Sequence, residues 1–127
     1  LKISDDEIEF MTGEKDIKTG VKKLIDEYHI PFICATMGKN GSMAFFDGHI
    51  VEAAPFLRDD TVETTGAGDT FCACLLHDVL EHGINDRKDD DVKKMLTFAN
   101  AAASLITTRK GALRVMPEKG EVEAVIK

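Results

Sequence analysis

The sequence predicts an α/β layered domain, and three observations carry that expectation. Phe32-Ile33-Cys34-Ala35-Thr36-Met37 is a short, nearly continuous apolar run, the pattern of a strand buried on both faces. Residues 42–54 read as two strands joined at Asp47-Gly48, a hairpin signal. Before and after these strands, apolar residues recur at helical spacing. Helix, buried strand, hairpin and further helices make a layered domain. The pattern leaves the strand order open.

Each element has a local cause. Ser4-Asp5-Asp6-Glu7 has the form of a capping box, with Ser4 and Glu7 each able to satisfy the other's backbone N–H. Ile8 and Met11 give that first helix a short stripe, and Gly13 stops it. Asp16 caps a second helix whose stripe is Ile17, Val21, Leu24, Ile25 and Tyr28, expected to be core throughout. Pro31 ends it. After the buried strand, Gly38-Lys39-Asn40-Gly41 turns the chain into the hairpin. Residues 55–62 are a connector. A third helix is expected from about Gly68 to His82, with Gly83 as its stop. A charged loop follows, and Asp89 or Asp90 is the expected cap of a helix over 91–107. Its stretch Phe98-Ala99-Asn100-Ala101-Ala102-Ala103 has side chains small enough for close packing. A last helix is expected over 117–126, with Pro117 at its first position.

Composition narrows the function classes. The 127 residues suit one domain, 43 % hydrophobic and 31 % charged, which argues against disorder. No apolar run reaches the ~20 residues of a membrane helix. The net charge of −7 disfavours a broad nucleic-acid or anionic-membrane footprint, though a small anionic ligand remains compatible with a local positive pocket. Cys34, Cys72 and Cys74 are odd in number and fit neither a metal nor a disulfide framework. Free thiols, with no basic-then-apolar leader, point to a cytoplasmic protein. Asp89-Asp90-Asp91 lacks the spacing of a calcium loop and reads as helix-start charge. His29, His49, His77 and His82 show no ligand spacing and read as surface or packing residues.

The chemistry concentrates in Glu63-Thr64-Thr65-Gly66-Ala67-Gly68-Asp69-Thr70-Phe71. Glycines at a helix start let backbone N–H groups approach an anion at the positive end of the helix dipole. Read alone, Gly66-Ala67-Gly68 is either a tight turn into a helix or an anion hole. Asp69 in the first turn is either a dipole-favoured cap or a base beside that anion. In phosphoryl transfer, such an aspartate orients an attacking hydroxyl and takes its proton. The amides of Ala67, Gly68 and Asp69 would then meet the charge growing on the transferred group. A dinucleotide-dependent oxidoreductase would need a glycine fingerprint after an early strand, and none is present.

Thr64-Thr65-Gly66-Ala67-Gly68-Asp69-Thr70-Phe71 resembles the second signature of the ribokinase-like carbohydrate kinases. Three further stretches fall in that family's order. Thr36-Met37-Gly38-Lys39-Asn40-Gly41-Ser42 resembles its nucleotide-binding turn. Phe98 to Ala103 resembles its adenine-side helix, and Thr108-Arg109-Lys110-Gly111-Ala112 the loop that closes the pocket. The opening, Lys2 to Glu14, is similar to the acidic segment before the family's Leu-Thr-Gly. The wording is nearest to bacterial fructokinases.

The resemblance implies a three-layer α/β/α sandwich, with residues 1–127 as the C-terminal, ATP-side part of a kinase domain. Asp69 falls at the catalytic base and Gly66, Ala67 and Gly68 at the anion hole. Thr36, Gly38, Lys39, Gly41, Asn100 and Gly111 fall on the nucleotide side. Lys39 reads either as a phosphate contact or as a solvated turn residue. Some members bind a monovalent cation such as K+, and Glu63, Thr65, Ile106, Arg109, Gly111 and Val115 fall at the corresponding positions. Glu63 stands where aspartate is usual. Mg2+ would travel with ATP, held by phosphates and water.

Family members carry an N-terminal portion that supplies most sugar contacts and the lid, and nothing here matches it. The expected reaction is therefore ATP-dependent phosphorylation of a sugar hydroxyl, fructose first, by a chain that does not turn over sugar alone. The alternative is a truncated or split-gene fragment that binds nucleotide or a partner without catalysis. Exposed sheet edges would favour self-association or pairing with the missing half.

Overall fold

The structure is a computed structural model that describes residues 1–127. A four-stranded sheet runs in the order β1-β2-β3-β4, with β1 Lys2–Ser4, β2 Phe32–Thr36, β3 Ser42–Phe46 and β4 His49–Ala53. β1 and β2 are parallel, and the other two pairs are antiparallel. The helices are α1 Asp5–Thr12, α2 Ile17–Tyr28, α3 Ala67–His82, α4 Asp89–Ile106 and α5 Lys119–Ile126.

The pleat divides the strands between two cores. Phe32, Cys34, Ala44, Phe46, Val51 and Ala53 face one side, packed with Phe71 and Leu75 of α3 and Val92, Met95, Leu96 and Ala99 of α4. Ile3, Ile33, Ala35, Met43 and Phe45 face the other, packed with Ile8 of α1 and Val21 and Leu24 of α2. Helices on both faces make three α/β/α layers and explain why β2 and β3 show no polar alternation. α5 adds Val122 against Ala101 and Ala102 on the outer side of α4.

Several local expectations are met in geometry. The N–H of Glu7 donates to Ser4 Oγ at 3.3 Å, and that of Ser4 to Glu7 Oε2 at 2.8 Å. The Ser4 N–H first, and the Ser4 hydroxyl after it, hold the Glu7 carboxyl below its usual pKa. Gly13 ends α1 in the left-handed region, and Asp16 accepts from the Thr19 N–H at 2.9 Å. All four histidines are exposed.

Others differ. Lys2–Ser4 is a strand, hidden by its three-residue length and by the capping box directly after it. Met11 of α1 and Tyr28, the last residue of α2, are exposed, so both stripes stop short of their last expected member. α4 starts two residues early: Lys88 is the N-cap, and Asp89, Asp90 and Asp91 form the first turn, where the helix dipole favours acids. Pro117 lies outside α5, whose cap is Glu118 in a capping box with Glu121. No helix is long and apolar enough to cross a membrane.

The three thiols are free. Burial in the core pushes Cys34 up to about 12, and the α3–α4–α5 interface pushes Cys74 up to about 11. A folded pKa raised above the unfolded value of 9.0 contributes stability that is complete below pH 9.0 and lost as pH climbs toward 12. The unfolding midpoint is therefore expected to fall steeply above about pH 9, and Cys34→Ala is expected to blunt that slope. Urea melts at a series of alkaline pH values check this.

Candidate functional site

A cavity of about 570 Å³ opens at the C-terminal ends of the parallel strands β1 and β2. Crevices at that place are the common ligand sites of α/β sheets. Its walls come from four parts of the chain. Lys2, Ser4 and Asp5 belong to β1 and the start of α1, and Thr36, Gly38, Lys39 and Gly41 to the end of β2 and the turn. The connector and α3 add Arg58, Thr64, Ala67, Gly68 and Phe71, and α4 adds Asn100, Ala103 and Ser104. Seven residues expected on the nucleotide and anion side thus line one space: Thr36, Gly38, Lys39, Gly41, Ala67, Gly68 and Asn100.

Backbone geometry fixes the two glycine-rich parts. Gly41 has φ +92°, and a Cβ there would stand 2.2 Å from the Ala53 carbonyl oxygen, so the turn is pressed against the end of β4. Gly66 is the N-cap of α3 at φ +83°, a conformation that L side chains rarely adopt. A Cβ on it would meet Ala112 at 3.2 Å and Ile106 at 3.4 Å. Only glycine lets this turn sit so close to the end of α4 and the loop after it.

The amides at the start of α3 divide unequally. Ala67 N–H donates to the Thr64 carbonyl at 3.2 Å, so the turn itself takes the first of the three amides expected to meet an anion. The N–H groups of Gly68 and Asp69 have no protein acceptor, and Thr70 N–H begins the helical ladder on Gly66 at 2.8 Å. Asp69 is exposed in the first turn, directly after the cavity residue Gly68.

Asn100 is 9 % exposed, and its amide nitrogen donates to the carbonyls of Ala53 at 3.3 Å and Ala54 at 3.0 Å. It lines the cavity and also ties α4 to the end of β4. Gly111 lies outside the cavity wall, and its N–H donates to Glu63 Oε1 at 2.8 Å.

The six positions weighed for a monovalent cation do gather near this loop, yet several acceptors are already engaged. Arg109 Nη1 donates to the Val115 carbonyl at 3.0 Å, and Arg109 N–H to that of Ile106 at 3.1 Å. Glu63 gives one oxygen to Gly111. Thr65 is exposed. Each of these acceptors thus takes one hydrogen bond within the loop. No cluster of three or more His, Cys, Asp or Glu side chains is placed to hold a metal.

Sequence reasoning missed Lys2, Ser4, Asp5, Arg58 and Ser104 on the cavity wall. Lys2 carried one signal, a cation two residues before the Ser4 cap. Arg58 carried none, since connectors are charged by default.

The pfkB family carbohydrate kinase profile matches residues 1–119. The chain belongs to the pfkB family of carbohydrate kinases. It is 34 % identical to the fructokinase of Klebsiella pneumoniae over 125 residues, 97 % of this chain and 39 % of that protein. It is 31 % identical to fructokinase-2 of Zea mays over 127 residues, 99 % of this chain and 37 % of that protein. The pfkB-family chain thus spans under two fifths of the length of these curated relatives. Among solved structures, fructokinase from Vibrio cholerae O395, in a form with fructose, ADP and calcium ion bound, superposes with TM-score 0.83 at 26 % identity. The superposition covers 99 % of this chain and 40 % of that one. Arabidopsis thaliana ribokinase, complexed with ribose and ATP, gives TM-score 0.80 at 27 % identity over 100 % of this chain and 40 % of that one. The three layers are therefore those of the ribokinase-like fold.

Proposed function

We propose that this chain forms the nucleotide and catalytic-base side of a sugar kinase that moves the γ-phosphoryl group of ATP to a sugar hydroxyl. Fructose, giving fructose 6-phosphate, is the first choice of sugar, because the named relatives are fructokinases. The observation that carries the reading is the single cavity that joins the Thr36–Gly41 turn to the open amides at the start of α3, beside Asp69.

The chemistry follows from those groups. The adenine side of ATP lies toward Asn100 and Ala103, and the phosphates run toward α3. Asp69 takes the proton of the sugar hydroxyl as its oxygen forms a bond to the γ-phosphorus. The bond from that phosphorus to the β–γ bridging oxygen breaks, and ADP leaves. The amides of Gly68 and Asp69 receive charge on the transferred group. Magnesium bound with ATP neutralises phosphate charge, and phosphates and water supply most of its ligands.

The 127-residue chain is expected to bind ATP in calorimetry and to show no sugar turnover in a coupled assay, since it spans under two fifths of the length of its fructokinase relatives. Absence of ATP binding would refute the nucleotide role. Ordinary turnover by this chain alone would refute the division of labour.

A further inference from the structure

We infer that a second cavity, formed by the helices α3, α4 and α5, is a binding site for a small amphipathic anion, an apolar body carrying one carboxylate. The cavity holds about 430 Å³ and shares no lining residue with the one at the ends of β1 and β2. Its volume lies in the range of small-ligand pockets. The apolar wall is Cys74 of α3, Met95, Phe98 and Ala102 of α4, and Met116 and Val122 on the α5 side. Met95, Ala102 and Val122 are buried, and burial pushes the Cys74 thiol up to about 11, so this wall is uncharged at neutral pH. Two methionines beside an aromatic ring make an adaptable apolar surface.

The charged lining residues set the sign of the ligand. Both acids already face a basic side chain: Asp78 is held by Arg87 at 2.7 Å, and Glu81 stands 3.5 Å from His77. Lys94 and Lys119 line the same cavity, are exposed, and have no acidic partner. Two unpaired ammonium groups thus stand over an apolar wall, in a chain whose net charge is −7. They hold an anionic head and leave an apolar body to the wall. Thr70 adds a second polar contact. It is the buried polar residue of the lining, 3 % exposed, and its hydroxyl has no partner in the protein. Buried polar groups are as a rule hydrogen-bonded, and a polar atom on the body of the ligand satisfies this one. Thr70 follows Asp69 in the first turn of α3, and its neighbour Phe71 lines the nucleotide cavity. The two cavities lie on different sides of one turn, so the anion binds alongside ATP rather than in its place.

The test is calorimetry on the 127-residue chain with 2-naphthoate, its neutral amide and its 6-hydroxy derivative as probes. The acid is expected to bind one to one and more tightly than the amide by about threefold to tenfold, the worth of two exposed ion pairs. The double variant Lys94→Gln, Lys119→Gln is expected to erase that difference. The hydroxy acid is expected to gain about twofold to tenfold over the plain acid, and Thr70→Val to remove the gain. Ala73→Trp, at an exposed position of the lining, fills the space and is expected to weaken all three probes by about tenfold or more. No binding of the acid, equal binding of acid and amide, or unchanged binding in Ala73→Trp overturns the inference. Displacement of 2-naphthoate by saturating ATP also overturns it, because the probe then sits in the nucleotide cavity. Should Ala73→Trp fail to fold, the lysine variants, changed only at exposed positions, decide the matter.

Discussion

Asp69→Asn is expected to lower sugar phosphorylation by about two to four orders of magnitude, the usual worth of a positioned general base, while ATP affinity stays within a few-fold. Asparagine keeps the size of the side chain and its place in the first turn of α3, and removes the ability to accept the hydroxyl proton. Asp69 is exposed and belongs to neither core, so its replacement costs the fold little. The amide N–H of residue 69 remains without a protein acceptor in either case. The measurement is kcat and KM for sugar in a preparation that turns over, with ATP affinity measured separately. Near-normal turnover would remove the base from the mechanism. Parallel loss of turnover and ATP affinity would instead make Asp69 a nucleotide-binding residue.

Phe71→Ala is expected to destabilise the chain by about 3–5 kcal/mol, as for other buried aromatic truncations. Phe71 is 2 % exposed and packs among the strand residues and the α4 residues of the larger core. It also lines the cavity, two residues after Asp69. A single domain has about 5–15 kcal/mol in total, so the loss is a large fraction. The same change removes the wall behind the first turn of α3, and ATP affinity should fall with stability. Phe71→Leu should restore most of both. Urea melts together with calorimetry check the pair, and an intact melt for Phe71→Ala would show that α3 is not anchored through this ring.

Much of this was legible because the strongest signals were local. Ser4 and Glu7 cap each other through contacts three residues apart, and the run from Phe32 shows burial on both faces directly. The Gly66-Ala67-Gly68-Asp69 turn could be read as an anion site because helix starts expose amides in any fold. What escaped depended on contacts distant in sequence. β1 exists because Lys2, Ile3 and Ser4 lie in register with Cys34, Ala35 and Thr36, which no three-residue pattern announces. Tyr28 is exposed at the last position of α2, although its spacing matches the buried Val21 and Leu24. Asn100 looked like a pocket residue, and its bonds to Ala53 and Ala54 required knowing where β4 ends. The acceptors that Arg109 takes at Ile106 and Val115 were likewise invisible in the motif that suggested a cation.

Two backbone amides of the segment before α3 share one acceptor. The N–H groups of Val62 and Glu63 both donate to the Thr107 carbonyl at the end of α4, at 2.7 and 3.1 Å. Two amides outside any helix or strand, in an exposed stretch, should therefore exchange hydrogen slowly with solvent. Because they share one oxygen, fraying of the last turn of α4 would release both together, leaving the Glu63–Gly111 bond to hold the chain that leads into Gly66. Motion at the far end of one helix would then be felt at the beginning of another.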